Sequence, residues 1–145
     1  MSAVLTGHCH CGAIRVEFEP GKPVAELPLR ACQCGFCRRH GSRTTSDPAS
    51  RLHIEVAPGA LTRYRFGRRA TDALICADCG VYVASLIEVE GRAFATLNVA
   101  GVGFEAFADR TPEPAVYDYE TDEAKLARRL SRWTPTVLVE TSPSA

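Results

Sequence analysis

DALICADCGVYVASLIEV, residues 72–89, carries two cysteines spaced C-x2-C, then a glycine, then a run of β-branched and aromatic residues. C-x2-C-G set between strands is the sequence form of a zinc knuckle. The tight turn aims backbone N–H groups at the sulfurs, and glycine permits the positive φ the turn needs. VYVASLIEV and RAFATLNV read as two strands joined at Glu90-Gly91, because such side chains fit a pleated, half-buried surface. The unit predicts strands joined by turns, with metal as the staple.

Working outward, the same period of two recurs. In IRVEFEP, residues 14–20, Ile14, Val16 and Phe18 alternate with Arg15, Glu17 and Glu19, ended by Pro20. RLHIEVAPG, residues 51–59, places Leu52, Ile54 and Val56 inward and His53 on the polar face. LTRYRF, residues 61–66, continues it, and Pro58-Gly59 between the two runs suggests a hairpin turn. HGSRTTSDPAS reads as a polar loop. The tail differs: TDEAKLARRLSRW, residues 121–133, has Thr121 as N-cap, acids in its first turn and arginines toward its end. Ala124, Leu126, Ala127 and Leu130 form its apolar stripe, expected to pack as one amphipathic helix. TVLVE, residues 136–140, reads as a last strand. The expectation is a mainly β, mainly antiparallel fold with a short C-terminal helix, residues 1–145 forming one domain of 145 residues.

Composition narrows the function. Lys+Arg and Asp+Glu both number 17, so the chain is formally neutral and lacks the field that draws a phosphate backbone; nucleic acid is not an expected partner. No apolar run reaches the length of a membrane span, and MSAVLTGHCHCG lacks the basic and apolar regions of a signal peptide. A cytoplasmic protein without a membrane partner is expected.

Seven cysteines force a choice between oxidation and metal. An odd count without a secretory signal argues against a disulfide framework, and C-x-C pairs make strained disulfides. The cysteines fall in three groups: Cys9 and Cys11 in GHCHCG (7–12), Cys32, Cys34 and Cys37 in ACQCGFCRRHG (31–41), and Cys76 and Cys79 in the knuckle. A structural zinc is closed by four protein ligands, whereas a catalytic zinc keeps one position open. Four plus three is the natural partition: Cys9, Cys11, Cys76 and Cys79 around one zinc, Cys32, Cys34 and Cys37 around a second. Two alternatives stand beside it. Cys32 and Cys34 could join Cys76 and Cys79, or His40, at C-x2-H from Cys37, could close the second site. His8 and His10 are expected to be exposed or to support the ligands.

An open three-thiolate zinc would hold a bound thiol as its thiolate, suited to making or breaking a carbon–sulfur bond, or would polarise a small carbonyl. The neighbouring Arg38, Arg39 and Arg43 could receive carboxylates of a thiol cosubstrate; Arg38 and Arg39 are the candidate substrate-binding residues.

GHCHCG at 7–12, CQCGFCRRHGS at 32–42 and CADCG at 76–80, in that order, resemble the glutathione-dependent formaldehyde-activating enzyme family, also called the GFA or CENP-V family. The resemblance covers roughly residues 7 to 100 and leaves out the arginine-rich tail. It implies a zinc-bearing β-tent fold, with Cys9, Cys11, Cys76 and Cys79 structural and Cys32, Cys34 and Cys37 at the reactive zinc. The activity it implies is a carbon–sulfur lyase run in the synthetic direction, adding glutathione to formaldehyde to give S-hydroxymethylglutathione. The rival from another class is a non-catalytic, zinc-stabilised binding module.

Overall fold

The structure, a computed structural model, describes residues 3–66, 71–117 and 119–141. Among the described residues eleven strands and two α-helices follow one another: β1 (Leu5–His8), β2 (Ile14–Glu19), β3 (Arg30–Cys32), α1 (Gly35–His40), β4 (Thr44–Thr45), β5 (Arg51–Val56), β6 (Leu61–Tyr64), β7 (Asp72–Cys76), β8 (Tyr82–Val89), β9 (Arg92–Asn98), β10 (Glu113–Ala115), α2 (Asp122–Arg132) and β11 (Thr134–Glu140). The fold is mainly β.

The strands form one forked sheet. Its long path runs β1-β2-β5-β11-β9-β4-β3-β10, and β8, β7 and β6 branch from the other edge of β9. Most ladders are antiparallel; β11 on β5 and β10 on β3 are parallel. Alternation along β2 and β5 decides which side is buried: Ile14, Val16 and Phe18 face Val56, Ile54 and Leu52 in register, and all six are buried. A one-residue slip would turn each of them to solvent, so this register is strongly specified. The β8–β9 hairpin turns through Glu90 and Gly91, both at positive φ (51° and 77°), the geometry of a two-residue turn matched to strand twist.

The expected Pro58-Gly59 hairpin does not form. The turn itself closes, with the Ala60 N–H donating to the Ala57 carbonyl at 3.0 Å. Yet both edges of β5 are occupied, by β2 and by β11, so β6 has no edge of β5 to join and pairs with β7 instead. HGSRTTSDPAS likewise contains β4, a two-residue strand between β3 and β9. The connector VAELPLR contributes Leu27 and Leu29 to the core, and GVGFEAF contributes Phe104 and Phe107.

α2 begins as its sequence expects: the Thr121 hydroxyl accepts from the Ala124 N–H at 3.1 Å. Its apolar stripe is not buried, however. Leu126 and Leu130 are 43% and 37% exposed, and the side turned toward the sheet carries Lys125, Arg128 and Arg129. Long aliphatic stems let such residues cover a surface while their heads keep polar partners. Arg128 lies over the Tyr117 ring at 3.6 Å and is bonded at 3.0 Å to the Glu120 carboxylate. Arg129 lies over Trp133, 5.4 Å from the ring centre, and Trp133 packs with Ile87 and Phe94 to hold the helix end on the hairpin. Among the described residues no helix is long and apolar enough to cross a membrane.

Candidate metal centres

Two tight turns, 65 residues apart, bring four sulfurs together. Between β1 and β2, the Cys9 N–H donates to the Ile14 carbonyl (3.0 Å) and the Gly12 N–H to that of Cys9 (3.0 Å). Between β7 and β8, the Cys76 N–H donates to the Val81 carbonyl (3.0 Å) and the Gly80 N–H to that of Cys76 (2.9 Å). Gly12 and Gly80 sit at φ of +84° and +80°, a region where a side chain is strained. Each turn points an N–H at a sulfur: Ile14 to Cys9 at 3.3 Å, Cys79 to Cys76 at 3.4 Å. The Cys9–Cys11 and Cys11–Cys76 sulfur separations are 3.8 and 3.6 Å, and all four sulfurs lie within 4.8 Å of one another. A tetrahedral zinc with Zn–S near 2.3 Å needs sulfur separations of about 3.8 Å. The four cysteines fit the ion.

The second cluster is built by β3 and α1. Cys32 ends the strand, Cys34 caps the helix with its sulfur accepting from the Cys37 N–H at 3.3 Å, and Cys37 is buried in the first turn. The three sulfurs also lie within 4.8 Å of one another. Hydrogen bonds from Cys32 and Cys37 pull the Cys34 thiol down to about 2. The same contacts, Cys32 first and then Cys34, push the Cys37 thiol up. Three sulfurs this close titrate as one unit: the cluster parts with one proton readily and holds the last one hard. A soft divalent cation replaces those protons, so the donor set suits zinc.

Every described cysteine is free of disulfide bonds, and the two clusters could each hold a metal ion. Cys32 and Cys34 do not join Cys76 and Cys79. His40 is exposed, outside the sulfur group, and packs in a tilted arrangement against Phe36 with ring centres 4.5 Å apart. His8 Nδ1 lies 2.6 Å from the Cys9 carbonyl oxygen, while His10 and His53 are exposed.

The triad lines a cavity of about 170 Å³. Tyr82, fully buried, and Ser85 share its wall and are hydrogen-bonded to each other. Burial first, and then the nearby sulfurs, push the Tyr82 phenol above its ordinary value, so it stays protonated. The lining is also cationic: Arg30 from β3 with Lys125, Arg128 and Arg129 from α2. A larger depression of about 460 Å³, bordered by Glu17, Arg51 and His53, contains no cysteine; size alone does not pick the site.

Arg38 and Arg39 are exposed and border a separate shallow depression with Gly35. The structure does not bring them to the cavity of the triad. Arg43 donates to the carbonyls of Phe107 (2.9 Å) and Arg110, holding a loop. The cations around the triad come instead from the tail and from Arg30. Spacing within KLARR carried the signal, since Lys125, Arg128 and Arg129 fall at i, i+3 and i+4 on one helix side.

Comparison with known proteins gives two findings. Residues 4–120 match the family described as glutathione-dependent formaldehyde-activating enzyme. A Rhodobacter sphaeroides protein of known crystal structure is similar at 28% identity, with a TM-score of 0.60, over 77% of this chain and all of its own.

Proposed function

The chain belongs to the glutathione-dependent formaldehyde-activating enzyme family, and from that premise we propose that it is a zinc-dependent carbon–sulfur lyase working in the synthetic direction. It adds the thiol of glutathione, or of a related small molecule, to formaldehyde or a similar small electrophile. In this reading Cys9, Cys11, Cys76 and Cys79 hold a structural zinc, and Cys32, Cys34 and Cys37 hold the reactive one. A reducing compartment such as the cytoplasm suits seven unpaired thiols.

One observation carries the proposal. The second cluster offers three sulfurs and, among the described residues, no fourth His, Asp or Glu donor, and it lines a cavity. Such an arrangement leaves room for a ligand that the four-sulfur cluster does not. When bound there, zinc would supply stabilisation of an incoming thiol as thiolate at neutral pH. The sulfur–carbon bond forms as the carbonyl π pair moves to oxygen, and the proton lost by the thiol ends on that oxygen. Tyr82, with Ser85 behind it, offers a hydroxyl to the oxygen as charge develops. The walls keep the reacting atoms together while water is partly excluded.

The test is exchange spectroscopy on zinc-loaded protein with glutathione and ¹³C-labelled formaldehyde. Accelerated exchange between hydrated formaldehyde and the S-hydroxymethyl adduct is expected. With two zinc ions per chain verified, a rate equal to that in buffer overturns the lyase reading.

A further inference from the structure

We propose that the triad cavity contains an anion subsite, formed by Arg30, Lys125 and Arg129, that selects small thiols carrying a carboxylate. It rests on the reading of the triad as the place where a thiol binds, and it adds what the rest of the ligand must carry.

Four observations support it. First, the cations on this wall are unequally used. Arg128 is already neutralised by Glu120, but Arg30, Lys125 and Arg129 have no carboxylate partner among the described residues. Arg30 donates only to the neutral Ser46 hydroxyl, at 3.0 Å. Second, Arg129 Nε is buried with no hydrogen-bond partner, and a buried donor left unpaired costs free energy that an acceptor in the cavity would recover. Third, Arg30, Lys125 and Arg129 are all half-buried in the cavity lining. The wall therefore carries half-buried positive charge with no carboxylate at ion-pair distance from Arg30, Lys125 or Arg129 among the described residues, a setting in which a ligand carboxylate gains a charge-assisted pair.

Fourth, size limits the ligand. About 170 Å³ lies well below the roughly 300–1,000 Å³ of pockets that enclose drug-sized molecules. The enclosed portion is a short chain bearing sulfur at one end and an anion at the other. Lys125 and Arg129 lie beyond residue 120, where the family match ends, so this specificity device belongs to the chain's own tail.

Trp133, the chain's one tryptophan, lines the cavity beside Arg129 and reports its occupancy independently of turnover. The experiment titrates cobalt-substituted protein with mercaptopropionate, mercaptoethanol and propionate, following Trp133 fluorescence and the cobalt–thiolate absorption together. Mercaptopropionate should bind at least about tenfold more tightly than mercaptoethanol, the margin of one charge-assisted pair. Arg129→Gln should shrink that margin to about twofold, and Arg129→Lys should keep part of it. Equal affinity for the two thiols in the wild-type protein overturns the subsite. So does an Arg129→Gln variant that weakens both thiols alike, because the cations would then only offset the charge of the sulfurs. If no thiol changes the cobalt absorption while propionate still perturbs Trp133, the thiol-binding role of the triad fails and the anion subsite stands.

Discussion

The sulfur of Cys11 lies 3.6 Å from that of Cys76, although 65 residues separate them along the chain. The contact joins the β1–β2 turn to the β7–β8 turn and closes a loop containing the triad, β5 and β6. Closing a long loop removes much conformational freedom from the unfolded chain, so whatever ion holds these sulfurs contributes directly to folding.

On the proposed assignment, Cys76→Ala therefore lowers stability by roughly 4 kcal/mol or more, a fall in Tm of about 10 °C. Strong chelation of the wild-type protein should reproduce the loss, and excess zinc should reverse it. Calorimetry with and without chelator makes the comparison; a Tm indifferent to chelator would rule out a structural ion here.

Cys32→Ser should behave differently. The triad closes only a short loop within β3 and α1, so its loss removes little loop entropy. Metal content should fall from two ions per chain to one and adduct formation should stop, while Tm moves by only a few degrees. Unfolding as severe as that of Cys76→Ala would favour the non-catalytic, structural alternative.

Asp72 supplies a pH prediction. Its side chain is buried between Arg63, at 2.9 Å, and Arg65. Hydrogen bonding to Arg65, opposed by burial and aided by Arg63, holds its carboxyl below the ordinary 3.8. A carboxylate with a depressed native pKa stabilises the fold fully above its unfolded value and loses that contribution as pH falls through the native one. Both arginines are more than a third exposed, so the discounted contribution is about 1–2 kcal/mol. Asp72→Asn should lose this amount at pH 7 and flatten the decline in stability below pH 3.8. Urea titrations at neutral and acid pH would show it; parallel pH profiles for variant and wild type would contradict it.

Thr134 joins β11 to the Asp47 backbone twice. Its hydroxyl accepts from the Asp47 N–H at 2.9 Å and donates to the Asp47 carbonyl at 3.0 Å, and both residues are buried. Thr134→Val keeps the shape and strands two backbone groups, at a cost of about 2–4 kcal/mol. Thr134→Ser should retain most of the stability. Since Thr134 follows Trp133 at the end of α2, the valine variant should also redden and broaden Trp133 emission.

Leu126 and Leu130 provide the opposite case. Because neither is buried, Leu126→Lys and Leu130→Gln should change stability by no more than about 0.5 kcal/mol. A loss of 2 kcal/mol or more in denaturant titrations would mean that this side of α2 is covered in solution.

How far the sequence could be read depended on the range of the forces involved. Alternation placed the buried and exposed sides of β2 and β5 correctly, because a period of two is a local property of a half-buried strand. Thr121 marked the start of α2 for the same reason. Pairing is not local. Nothing near Pro58-Gly59 says that β11, some 80 residues on, takes the edge of β5 that a hairpin would need. The very short strands β3, β4 and β10 have too few residues for any period to show and exist because neighbouring strands supply their hydrogen bonds.

The cysteine spacings by themselves pointed to metal ligation, since C-x-C and C-x2-C turns aim neighbouring sulfurs to one side whatever surrounds them; which turns share a cluster was left open in the sequence, and the tertiary structure groups Cys9, Cys11, Cys76 and Cys79 apart from Cys32, Cys34 and Cys37. Tertiary structure alone decided what faces the triad. Arg38 and Arg39 are its neighbours in sequence but lie on another surface, because a helix rotates successive side chains by about 100°: Cys37 is buried, Phe36 and His40 meet the Tyr82 ring, and Arg38 and Arg39 stay exposed. Arg129 is remote in sequence and shares the cavity, because Trp133 and Thr134 fasten the end of α2 to the sheet and bring its cationic side over the sulfurs.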